Sequence, residues 1–277
     1  MQNFTGNTSK NKNQNIIILS DFVESAWESV CFSIENLMLN NHELAFVQTY
    51  KRPKFGQMLL KNITPVLKQI VKNDLLDLKF KTLRHFKIDE GRVSIHPLEG
   101  DWKSVFYYKR IFLNSDLMVL SMKEAFPGAE SNLSGKVCNL ASNTTIPLFI
   151  LPHPLKEKPF KKVLFLANRK WNEFLKKELN NPVLSRIKKA SIDFKIAAKN
   201  DSELNGTIKK IYELSKNYGF HTETADIIEK EEEYFSSLPD KYDLVVVDQE
   251  LVKPSSRNAV NLKEWVENKN GVPILIY

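Results

Sequence analysis

Phosphate chemistry needs glycine, because a loop that cradles an anion must turn with positive φ and bring backbone N–H groups close to it. This chain has nine glycines in 277 residues, about 3% against a usual share of roughly 7%. They are Gly6, Gly56, Gly91, Gly100, Gly128, Gly135, Gly206, Gly219 and Gly271, and no two stand closer than seven positions. A dinucleotide fingerprint, a Walker A loop and a nucleophile elbow each need closer glycines, so all three are excluded at motif level. The histidines, His42, His85, His96, His153 and His221, show no metal-ligand spacing, and each is expected at the surface or a strand end. Cys31 and Cys138 stand alone and make neither a disulfide framework nor a metal knuckle. The acidic run Glu229, Glu231, Glu232 and Glu233 suits the first turn of a helix, where the macrodipole favours negative charge. Trp102 and Phe106 are four apart and share a helix face with Tyr107 and Tyr108 nearby, which reads as core. None of these groups points to catalysis or a metal, so no enzyme activity is expected.

The formal charge of +7 is spread evenly: residues 1–155 carry 18 basic and 14 acidic side chains, and residues 156–277 carry 22 and 19. Of the 40 basic residues 33 are Lys and 7 are Arg, whereas phosphate and base edges are read best by the arginine fork. A nucleic-acid-associated basic protein is thus an alternative that the charge pattern does not favour. The chain lacks an apolar leader after its first residues and has no run of 18 apolar residues, so a cytoplasmic setting with no membrane partner is expected. A hydrophobic share of 42% suffices for a core in each of two domains, at about 150 residues per domain.

The elements follow from apolar periodicity. Ile16-Ile17-Ile18-Leu19 reads as a buried strand, and Phe22, Ala26, Val30, Ile34, Leu37 and Met38 keep a helical stripe after it. Leu44 to Thr49 is a second strand, Met58 to Leu78 a helix, Arg92 to His96 a third strand and Trp102 to Phe112 a helix. Asp116 to Leu120 is a fourth strand, a helix follows near Glu130 to Ala141, and Pro147 to Leu151 is a fifth strand. The order then restarts with strands at Lys162–Leu166, Ile192–Ala197, Phe220–Thr224, Asp243–Val247 and Val272–Ile276. The segment Asp243-Leu244-Val245-Val246-Val247 copies Asp116-Leu117-Met118-Val119-Leu120 at an offset of 127, and Val272-Pro273-Ile274-Leu275-Ile276 copies Ile146-Pro147-Leu148-Phe149-Ile150 at 126. The expected fold is α/β: two tandem open, mostly parallel five-stranded sheets flanked by helices, packed as an internal pseudo-dimer. The expected boundaries are a flexible terminus over 1–14, a first domain over 15–152, a linker over 153–160 rich in proline and charge, and a shorter second domain over 161–277.

In this form the chain resembles the universal stress protein family, in its tandem version. The likeness rests on Ile16-Ile17-Ile18-Leu19-Ser20-Asp21-Phe22, similar to the family's opening strand and turn. It rests also on Asp116 to Ser121, similar to the strand before its nucleotide loop, and on Ile146 to Pro152, similar to its closing strand. The resemblance implies a fold in which some members bind ATP through an Asp after the first strand, a small apolar residue ending the second, and a loop G-x2-G-x9-G-(S/T) after the fourth. Asp21 matches the first feature and Val47 the second. The loop departs: Ser121 and Glu124 stand at the first two glycine positions, and Ser134-Gly135 reverses the last pair, with Gly128 between. Those seven residues are the vestige of a nucleotide site. A carboxylate such as Glu124 repels a triphosphate by about 1 kcal/mol at 4 Å even in high dielectric. In the second copy Asn168 takes the place of the Asp, while Asp248, Leu251, Asn261 and Leu262 fall near the loop positions. The expectation is a binding or regulatory protein of stress response with no cofactor. An ATP switch or slow ATPase in the first domain is the alternative. The resemblance further implies that the closing strands pair, here Leu148–Leu151 with Ile274–Tyr277 inside one chain. An unknown protein partner and a further homodimer are left open.

Overall fold

The computed structural model describes residues 14–20, 23–40, 42–51, 63–100, 115–121, 141, 144, 146–152, 160–167, 187, 189–196, 201–227, 241–252 and 272–277. The β-branched and apolar runs form ten strands: β1 Gln14–Leu19, β2 His42–Tyr50, β3 Val93–Glu99, β4 Ser115–Ser121, β5 Leu148–Leu151, β6 Lys162–Ala167, β7 Ser191–Ile196, β8 His221–Ile227, β9 Leu244–Val247 and β10 Ile274–Ile276. Among the described residues, helices α1 Val23–Phe32, continued by a π-helical stretch Ser33–Leu37, α2 Ile63–Phe86, α3 Asp201–Tyr218 and the short α4 Gln249–Val252 accompany them.

One sheet contains all ten strands, in the order β3-β2-β1-β4-β5-β10-β9-β6-β7-β8. The two five-stranded sheets expected from the sequence are thus the halves of one sheet, joined where β5 meets β10. Pairing is parallel throughout except at the centre, where β10 runs antiparallel to β5 with Leu275 opposite Phe149. The cause lies in composition. Leu148 to Leu151 and Ile274 to Ile276 are buried on both faces, so neither strand suits an open edge, and each satisfies the other's backbone groups. From either outer edge the strands appear in the same order, and the switch of direction in chain order falls between β1 and β4 and again between β6 and β9. Pro97, which donates no backbone hydrogen bond, lies in the edge strand β3.

Two aspartates 127 positions apart fix corresponding strand starts. Asp116 Oδ2 accepts from the Asn15 N–H at 3.2 Å, and Asp243 Oδ2 accepts from the N–H groups of Lys161 and Lys162 at 3.0 Å each.

Each face of the sheet carries a core. On one, Ile16, Ile18, Leu44, Phe46 and Val119 pack with Ala26 and Val30 of α1 and Val71, Leu75 and Leu78 of α2. This core continues through Phe149 and Leu275 to Phe165 and Phe194, and the Phe165 and Phe194 rings stack at 5.0 Å. On the other face lie Ile17, Leu19, Ala45, Val47, Met118, Leu120, Val245 and Val247. The alternation inside each strand follows from the two-residue period of β structure.

Helix α2 runs to Phe86, eight residues past the expected end at Leu78. Its last two turns hold only Thr82 as a buried residue, whose hydroxyl donates to the Leu78 carbonyl at 2.8 Å. Helix α3 was not foreseen from the sequence; it ends at Gly219, where φ is +75° and a side chain would be strained. The expected helices at 102–112 and near 130–141 lie outside the described residues, apart from helical Ala141. The proline-rich junction at 153–159 lies outside them as well.

Candidate functional site

In an open α/β sheet ligands bind outside the carboxyl ends of the strands, where the order switches. In the first half that place is the end of β1 and β4. The Ser20 N–H donates to the Val47 carbonyl at 2.8 Å, extending the β1–β2 ladder by one residue. The registers Leu19 with Val47 and Leu19 with Leu120 then set Gln48, Ser20 and Ser121 in one row across three adjacent strands. At about 4.8 Å between strands the row is roughly 10 Å wide. By alternation its side chains lie on the face that α1 and α2 cover, one step beyond Phe46, Ile18 and Val119. Ser20 is buried, and Gln48 Oε1 and Ser121 Oγ are buried without a hydrogen-bond partner. Such orphaned polar atoms cost about 1–3 kcal/mol each and call for an explanation.

Of the seven residues expected to form the vestigial nucleotide site, Val47 and Ser121 are described. They do not come together on one face: Val47 is buried with Leu19 and Leu120, while Ser121 alternates to the opposite side. Asp21, Glu124, Gly128, Ser134 and Gly135 lie outside the described residues, as do Asn168, Asn261 and Leu262. Ser20 and Gln48 were not singled out from the sequence. The legible signal was a polar residue directly after each apolar run, in register on neighbouring strands.

The corresponding place in the second half is held by Asp248, 127 positions after Ser121. Asp248 is buried, its N–H donates to the Leu166 carbonyl at 2.9 Å, and Oδ1 accepts from the Glu250 N–H at 2.8 Å. The carboxylate thereby caps α4. Burial, with the Asp248 charge adding to it, pushes the Tyr277 phenol well above its ordinary value of 10.0. The same loop reaches across the central β5–β10 pair, since Gln249 Nε2 donates to the carbonyls of Ala141 and Thr144 at 2.8 and 2.7 Å. Leu251 is buried in the core of this face.

At the opposite, amino end of the strands a charged cluster surrounds Asp193. Its carboxylate accepts from Thr224 Oγ1 at 2.6 Å and from the Tyr242 hydroxyl at 2.9 Å, and Lys162 Nζ lies 3.5 Å away. Every oxygen has a partner and the cluster is on the wrong side for the crevice, which assigns it to holding β6, β7 and β8 in place. His42 is likewise structural: its Nδ1 accepts from the Leu39 N–H at 3.1 Å at the start of β2. Tyr50 is core; Trp102 to Tyr108, Glu229 to Glu233 and His153 lie outside the described residues. No group of three His, Cys, Asp or Glu side chains among the described residues is placed to hold a metal ion. No described helix is long and apolar enough to cross a membrane.

Neither a protein-family model nor a curated protein matches the chain. Solved structures do. A universal stress protein from Archaeoglobus fulgidus aligns with a TM-score of 0.63 at 10% identity, covering 96% of both chains. A putative universal stress protein from Pseudomonas aeruginosa aligns at 0.52 and 13%, covering 96% of this chain and 93% of that one. The cytoplasmic domain of a prokaryotic cation chloride cotransporter aligns at 0.50 and 11%, covering 95% of each. The chain therefore has the universal stress protein fold.

Proposed function

We propose that the protein is a non-enzymatic binding and regulatory protein of the universal stress type, cytoplasmic, with two copies of the fold in tandem over 15–152 and 161–277. The β5–β10 pairing is in this reading an internal pseudo-dimer, and both nucleotide sites are degenerate. The observation that carries the reading is at the ends of β4 and β9, the positions where nucleotide-binding relatives begin their glycine loop. A serine side chain stands at one and a buried helix-capping carboxylate at the other. A side chain there blocks the close backbone approach that a phosphate needs, and a carboxylate beside a phosphate adds repulsion that grows as water is excluded. Labelled ATP with magnesium should not be retained by the purified chain in equilibrium dialysis. Saturable retention near one equivalent would favour a nucleotide switch instead.

Gln48 Oε1 and Ser121 Oγ support a second use of the same crevice, for a small polar ligand that pairs with them. Buried polar atoms kept unpaired are a stability cost borne at functional sites. Ser121→Ala is accordingly expected to leave stability unchanged or raise it by about 1 kcal/mol, read as an equal or higher denaturant midpoint. A clear loss of stability would mean that the hydroxyl serves the fold.

A further inference from the structure

Helix α2 buries Val71, Leu75, Leu78 and Thr82 against the sheet, and its opposite face is bare. Val66, Ile70, Asn73, Asp77, Phe80 and Arg84 are all exposed, and Val66, Ile70 and Phe80 are exposed by 55%, 50% and 55%. Their spacing alternates four and three, the seam of a coiled coil, over about 27 Å at 1.5 Å per residue. The stripe is also self-complementary about the level of Leu75. Reversed on itself, position 70 meets 80, 73 meets 77 and 66 meets 84. The apolar Ile70 then faces Phe80. The Asn73 amide donates to the Asp77 carboxylate, and the Val66 methyls lie along the Arg84 stem. Asn73 Oδ1 is already taken by Gln69 Nε2 at 2.8 Å, which leaves its N–H groups for that bond. A parallel arrangement would set Asp77 against Asp77 and Arg84 against Arg84.

We propose that this face binds a second copy of the chain, α2 antiparallel to α2 across a two-fold axis. Each contact occurs twice, as an isologous interface requires. A cleft of about 480 Å³ lined by Trp27, Asp77, Phe80, Lys81, Arg84 and His85 lies beside the C-terminal half of the stripe. It receives Val66 and Ile70 of the partner subunit. Within its lining, Lys81 Nζ lies 3.9 Å from the Trp27 ring centre. At the axis Leu76 meets its copy on one flank, a gain, and Asp74 its copy on the other, a cost. One helix pair is a small interface, so the dimer exchanges rapidly with monomer.

Sedimentation equilibrium of the full chain tests this. Between about 5 and about 500 µM the wild type should pass from monomer to dimer, with a Kd on the order of 10–100 µM. Ile70→Glu and Phe80→Lys should each sediment as monomer at unchanged melting temperature, since both side chains are exposed. An equimolar mixture of the two should recover the dimer, because Glu then faces Lys in one layer and Phe faces Ile in the other. Val66→Arg, set against Arg84 of the partner subunit, should also dissociate it and serves if either first variant folds poorly. A wild type still monomeric at about 500 µM, a dimer that survives the single variants, or a mixture that stays monomeric would each overturn the proposal.

Discussion

Asp193 is a carboxylate at 5% exposure whose cost of burial is offset by two hydroxyl donors and the Lys162 ammonium. Asp193→Ala strips the acceptor from Tyr242 and Thr224 together, and a loss of about 2–4 kcal/mol in denaturant midpoint stability is expected. A change below 1 kcal/mol would show that the cluster contributes little. The histidines give a pH signature. Burial holds the His42 imidazole below its ordinary 6.5; a hydrogen bond to the Leu37 backbone opposes this and the Arg92 charge adds to it. Burial alone holds His96 below 6.5. The unfolded chain takes up protons near pH 6.5 and the folded one does not, so this contribution is complete above 6.5 and falls as pH drops below it. The melting temperature should decline from about pH 7.5 to about pH 5.5, less steeply in His42→Gln. An equal slope in both proteins would contradict the assignment. None of this was legible in the sequence: Lys162, Asp193, Thr224 and Tyr242 come from four separate segments that only the sheet register brings together.

Among the elements, β5 and β10 hold the two halves in one sheet. Ile274, Leu275 and Ile276 are each at most 2% exposed, and burying such a side chain contributes about 1.5–3 kcal/mol. Removing residues 273–277 therefore takes away an amount comparable to the whole stability of a domain, and leaves β5 as an open apolar edge. The truncated chain is expected to melt many degrees lower and to aggregate; a soluble protein with unchanged melting would disprove the role of this pair. The strands were legible because continuous apolar runs such as Ile16 to Leu19 and Leu244 to Val247 are short, rich in β-branched residues and flanked by polar ones, which favours a buried strand over a helix segment. Helix α3 carries a legible signal too, since Leu204, Ile208, Ile211 and Leu214 stand at helical spacing among Lys209, Lys210 and Lys216, although it was not among the expected elements. The far end of α2 went beyond the expected boundary because Lys79, Lys81, Arg84 and His85 interrupt its apolar face, although Thr82 is buried there and Leu83 and Phe86 pack against the core. The joining of the two halves through β5 and β10 was legible from the family resemblance and not from composition, since a strand's sequence shows that it is buried on both sides but not by which neighbour.

For the whole molecule, the glycine shortage gains its meaning from the fold. A universal-stress sheet presents its crevice at the ends of β1 and β4, and again at β6 and β9. Ser121 and Asp248 stand there, and in the proposed reading their side chains occupy the place where a phosphate loop would need bare backbone. The fold was readable from strand order and from the repeat at offsets 127 and 126. The site was readable only in part, since Ser20 and Gln48 acquire their place from register. The central claim of the proposed function is that this crevice does not take ATP. Thermal unfolding of the full chain with and without about 1 mM magnesium ATP tests it directly. A site with a Kd near 10 µM would add about 2.7 kcal/mol at that concentration, a rise of roughly 5–10 °C at this chain length. The expected result is a melting temperature that ATP leaves unchanged; a rise of several degrees that saturates with ATP would contradict it.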